Sequence, residues 1–156
     1  MSAFLPDTAE AAVGALLAAK LDGVDTSSIG GKDINDDGQL VFTPPCARTR
    51  YVGSLYSGIS DNQALNYNCE HVVEIFCAAE NLRSLEAQRE DTKALMGRVL
   101  VQMAGARLSL SDGSKSEPCR VVDVKSIPED IVGMIYIVSV AVPGIAQFDG
   151  PNANPN

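Results

Sequence analysis

The chain has 156 residues, 46 % of them hydrophobic and 21 % charged, a globular composition that excludes global disorder. Its 20 acidic residues against 12 Lys and Arg leave a formal charge of -8, a poor match to a protein that holds nucleic acid by neutralising phosphates. The length suits a single domain with a hydrophobic core of its own.

The opening residues lack a basic stretch and carry Asp7 and Glu10, so Leu16 and Leu17 read as a helix face and not as a signal-peptide core. Asp7 and Glu10 have capping-box spacing. Val13, Leu16, Leu17 and Leu21 follow at helical intervals and Gly23 is the stop, which predicts a helix over 8–22. Residues 25–38 are polar and turn-rich. A short strand is expected over 39–43, stopped by Pro44-Pro45. A half-exposed strand is expected over 46–52, with Ala47, Thr49 and Tyr51 on one face and Arg48 and Arg50 on the other. Residues 53–62 read as a polar turn region.

The longest strand signal is 65–79. Leu65, Tyr67, Cys69, His71, Val73, Ile75 and Cys77 alternate with Asn66, Asn68, Glu70 and Glu74. Near Phe76 and Ala78 both faces become apolar, which predicts cover on both sides there. Ser84 or Asp91 caps a second helix with the stripe Leu95, Met96, Val99, Leu100, Met103 and a stop at Gly105. Residues 107–110 look extended, 112–116 form a turn, and 119–126 and 130–142 are two further strands. The apolar run 131–142, broken by Ser139, falls short of the roughly 20 residues of a membrane span. Residues 144–156 hold two prolines, three asparagines and two glycines and read as a flexible tail. The expected architecture is one α+β domain over 1–143, an antiparallel or mixed four- to five-stranded sheet with two helices packed on one face.

Asp33-Ile34-Asn35-Asp36-Asp37-Gly38-Gln39-Leu40 matches the first eight positions of a calcium loop, with Asp33, Asn35 and Asp37 as oxygen donors. Position 12 is Pro44, and no helix follows. The competing reading is a hairpin turn in which Asp37-Gly38 supplies the positive φ angles. Cys69 and His71 share a strand face with Cys77, but Cys77 lies roughly 26 Å from Cys69 along an extended strand, too far to share a metal. The four cysteines form no C-x-x-C pair and read as reduced, partly buried apolar residues. His71 is the single histidine. No nucleophile elbow, kinase signature or phosphate loop is present, so neither an enzyme nor a cofactor is expected. Arg48 and Arg50 read as a solvated outer face, or as a basic stripe that pairs with acidic residues of a neighbouring subunit.

Residues 73–110 carry a family resemblance. The apolar strand Val73-Glu74-Ile75-Phe76-Cys77-Ala78-Ala79 runs into Glu80-Asn81-Leu82-Arg83. Ala87-Gln88-Arg89 follows, then a helix over 94–103, then Ala104-Gly105-Ala106-Arg107-Leu108-Ser109-Leu110. This pattern resembles the small neck proteins of Mu-like tailed bacteriophages, a family believed to include tail terminators, with the layout matching over roughly 8–142. The acidic loop 25–38 and the charges at Arg48 and Arg50 depart from it. The resemblance implies a structural virion protein of the tail or neck, assembled in the host cytoplasm. It implies a homo-oligomeric ring, six copies in a typical terminator, that caps the tail tube and, in contractile tails, the sheath. The ring would join these to the head connector, with no specific nucleic-acid binding and no membrane. In such a ring Arg48, Arg50, Arg83 and Arg89 lie beside the elements that would meet neighbours. A calcium-modulated binding module and another neck or head-completion protein are the alternative readings.

Overall fold

The computed structural model describes residues 4–61, 65–80, 84–127 and 135–148. Helix α1 (Pro6–Lys20) begins with Pro at its first position and Asp7 in its first turn, both favourable where backbone N–H groups lack partners. The capping box does not form. Leu5 is the N-cap without a side-chain bond, and Glu10 instead accepts a hydrogen bond from the Ser28 hydroxyl at 2.5 Å. Ala9, Ala12, Val13 and Leu17 form the buried stripe, and Gly23 leaves the helix at φ +70°. Helix α2 (Leu85–Met103) is capped by Ser84, whose hydroxyl accepts the Ala87 N–H at 3.0 Å. Of the two expected caps, Ser84 serves and Asp91 lies within the helix. No helix among the described residues is long and apolar enough to cross a membrane.

Four strands, β1 (Cys46–Asp61), β2 (Leu65–Ala78), β3 (Arg120–Ser126) and β4 (Tyr136–Phe148), form one sheet in the order β1-β2-β4-β3. Every pairing is antiparallel. The alternation read in residues 65–79 is real. Cys69, Val73, Ile75 and Cys77 join Ala47 of β1, Val138, Val140 and Val142 of β4 and the stripes of both helices in the main core. Both helices therefore cover one face, and the fold is α+β.

β1 is far longer than the expected 46–52. Residues 53–61, expected as turn, continue the strand through register shifts after Tyr51, Ser57 and Ile59. Gly58 takes φ +62° at the second shift, a left-handed position that a bulge assigns to glycine. The Gly and Ser content that suggests a turn thus makes a bulged strand. β4 also exceeds expectation. It runs through residues 144–148, expected as tail, and Ala146 is fully buried in the core. Residues 149–156 lie outside the described residues. The expected strand 39–43 is absent, and Leu40 makes a single bridge to Ile34.

The other face of the sheet is half covered. Phe76, Ala78, Cys46, Ile135 and Ile137 form a second cluster with Ile29, Leu40, Phe42 and Ile127 packed on it, which is the two-sided cover expected near Phe76. Residues 25–29 run parallel to the start of β1, with bridges Asp25 to Cys46 and Ser28 to Thr49.

Candidate functional site

Arg48 is not solvent-facing. It is 3 % exposed, and its guanidinium donates to Asp33 at 2.9 and 2.6 Å and to the carbonyls of Ser27 and Ser28 at 2.9 Å each. Asp25 lies 3.7 Å away. Arg48 lies on the sheet face where loop 25–42 folds over, and its planar fork binds that loop down. The Arg48 bond, then the Gly30 N–H, holds the Asp33 carboxyl below its ordinary range. The Arg48 guanidinium is therefore engaged within the protomer.

The calcium-like stretch is a hairpin turn. Asn35 Oδ1 accepts the N–H groups of Asp37 and Gln39 at 3.0 and 2.8 Å. Gly38 has φ +76°, and Ile34 bridges Leu40. Asp33, the first expected donor, is engaged with Arg48 and the Gly30 N–H. Among the described residues no group of three or more His, Cys, Asp or Glu converges as a metal site.

His71 is fully buried. Its Nε2 lies 2.7 Å from the Phe4 carbonyl, which only accepts, so Nε2 carries the proton and donates. Nδ1 then accepts from the Ser54 hydroxyl at 2.6 Å, and Ser54 Oγ lies 2.6 Å from the Tyr51 hydroxyl. Burial pushes the His71 pKa down, which keeps the ring neutral. The Phe4 ring stacks at 4.6 Å from the His71 ring. This relay ties the start of the chain to β1 and β2. All four cysteines are free and buried. Burial pushes Cys46 and Cys119 up to about 11 and Cys77 to about 12, so these remain thiols and poor nucleophiles.

The uncovered half of the sheet carries a charged lattice. Arg50 donates to Glu74 at 2.8 Å and stacks over the Phe76 ring at 5.0 Å. Lys125 reaches the other Glu74 oxygen at 3.9 Å. Arg120 meets Glu70 at 2.5 Å. Arg50 and Glu74 stand in one cross-strand row with Ser139 and Asp123, while Lys125 stands in the row of Phe76 and Ile137 and Arg120 in the row of Val72 and Ala141, so both β3 cations reach their carboxylates diagonally across β4. Alternation along 46–52 places Arg50 on this face, but no local pattern points to Arg120 or Lys125, whose partners lie two strands away. Arg89 is exposed on α2, and Arg83 lies outside the described residues. The structure thus brings none of Arg48, Arg50 and Arg89 together into one site.

The sheet edges complete the surface. Residues 25–29 cover β1 as far as Thr49. Beyond it, no described segment pairs with the outer edge of β1, and none with the outer edge of β3.

No family model matches this chain, and no curated protein matches it. Among solved structures, a chain from the virion of a native gene transfer agent particle shares the fold, with a TM-score of 0.57. The match covers 94 % of this chain and 100 % of that chain at 16 % identity.

Proposed function

We propose that this chain is a structural protein of a phage-like virion and, within it, a tail terminator. It would form a ring, six copies in the typical case, that caps the tail tube (and the sheath, if the tail contracts) and joins it to the head connector. The observation that carries the reading is the fold shared along the whole length of a virion chain. The neck-protein pattern over residues 73–110 supplies the finer assignment. Two surface features support it. The exposed sheet face is internally ion-paired, which suits a wall that DNA passes without being held. Among the described residues the sheet also ends in two unpaired edges, a recurrent means of assembly. The function proposed is structural, with no chemistry and no cofactor.

The test is deletion of the gene in the producing host, followed by mass spectrometry of purified particles and electron microscopy. The expected result is a chain present in wild-type particles, and tails of uncontrolled length that are not joined to heads in the deletion. Tails of normal length left unjoined would move the chain to another neck or head-completion position. Normal, joined particles lacking the chain would end the virion reading.

A further inference from the structure

We propose that the two sheet edges left unpaired by the described residues pair with each other between copies, β3 of one protomer adding antiparallel to β1 of the next beyond Thr49. The proposal deepens the ring reading and rests on it for the closure of the array.

The topology permits this pairing directly. Four strands alternate in direction, so the two edges run oppositely. A copy displaced sideways brings its β3 against β1 antiparallel, and the alternation continues unbroken. Such a contact is heterologous and closes into a ring when the rotation allows. The lengths allow it, since β3 has seven residues and β1 continues through Asp61 after its covered segment ends at Thr49, a longer stretch than β3 needs. The covered part of β1 already accepts a strand from residues 25–29, so this edge is competent for pairing.

The side chains agree as well. Free edges are commonly blunted by charge, proline or bulges. Beyond Thr49, β1 has no proline, its charges Arg50 and Asp61 stand at the two ends of the stretch, and residues 53–57 pair with β2 in unbroken register between the shifts. On β3, Arg120 and Lys125 lean inward to Glu70 and Glu74, and Asp123 is exposed. Apolar side chains are exposed on both edges as well. Val52 and Leu55 are 53 % and 67 % exposed on β1, and Val122 and Val124 are 49 % and 37 % exposed on β3.

The test uses the full chain and a short bismaleimide, against which the buried native thiols are inert. Val52→Cys mixed with Val122→Cys should give a cross-linked dimer, each alone none, and the doubly substituted chain a series of multimers. In parallel, Leu55→Lys with Val122→Lys, both at exposed positions, should convert the oligomer to monomer by sedimentation without changing the circular dichroism. Cross-linking of Val52→Cys with itself would show a two-fold β1 contact and overturn the proposal. So would an oligomer that survives the two lysines, or a wild type that stays monomeric at high concentration. These results are separate from the deletion phenotype, so edge pairing fails or stands apart from the virion reading.

Discussion

Arg48 and Asp33 form a two-pronged hydrogen-bonded ion pair at 2.9 and 2.6 Å, both side chains withdrawn from solvent. The pair joins β1 to a loop 15 residues earlier, and it explains why an arginine stands on a face that is otherwise apolar at this end. Arg48→Met should lower the Tm at neutral pH, because Asp33 loses its main partner while staying enclosed. The pH dependence has a definite sign. The folded pKa of Asp33 lies below its ordinary value of 3.8, so its contribution is complete above 3.8 and is lost as pH falls from there through the folded value. Thermal melts should show a gap between wild type and Arg48→Met that is constant near neutrality and closes in acid.

The same pair bears on calcium binding by the turn. With Asp33 engaged and Asn35 Oδ1 accepting two backbone N–H groups, the turn has no free set of converging oxygens of the six to eight calcium needs. Isothermal titration with calcium at roughly millimolar concentration should give no binding heat, and the Tm should not move. A saturable heat abolished by Asp37→Asn would contradict this.

His71 predicts a second pH effect. Its folded pKa is lowered from 6.5, mainly by burial. The unfolded chain therefore takes up the proton first. The stability from neutral His71 is complete above 6.5 and declines as pH falls through the folded value. Denaturant titrations should show wild type weakening as pH falls below about 6.5. His71→Gln, which keeps a donor toward the Phe4 carbonyl, should lower stability at pH 7 and remove that slope.

Gly144 is a packing requirement. A Cβ there would come within 2.7 Å of two atoms of the Phe4 ring. Gly144→Ala should cost about 1–3 kcal/mol through overpacking. Phe4→Ala in the same chain should relieve the clash, so a double-mutant cycle should return a coupling of roughly 1 kcal/mol or more. Additive losses would place the strain elsewhere.

Much of the framework is legible in the sequence because periodicity is local. The stripe of α2, the alternation of β2, the glycine stops and the turn at 112–116 follow from spacing and from each residue's own φ preferences. Three errors share one cause. Residues 53–61 have turn composition, residues 144–148 have tail composition, and residues 39–43 have strand composition. Whether each forms a strand depends on a neighbour to pair with. β2 and β4 supply that neighbour for the first two, while residues 39–43 cross the sheet face as cover, with Leu40 and Phe42 packed on Phe76 and its cluster.

By itself the sequence determined an acidic chain of α+β class, two amphipathic helices and the inward face of the longest strand, since those depend on residues a few positions apart. The tertiary structure alone decided the fate of the charges. The -8 total says nothing of Arg48 sealed against Asp33, or of Glu74 shared between Arg50 on β1 and Lys125 on β3. Ion pairs form through space, between strands whose order β1-β2-β4-β3 is set by core packing. That order also leaves two edges unpaired among the described residues, and no count of charges along the chain contains it.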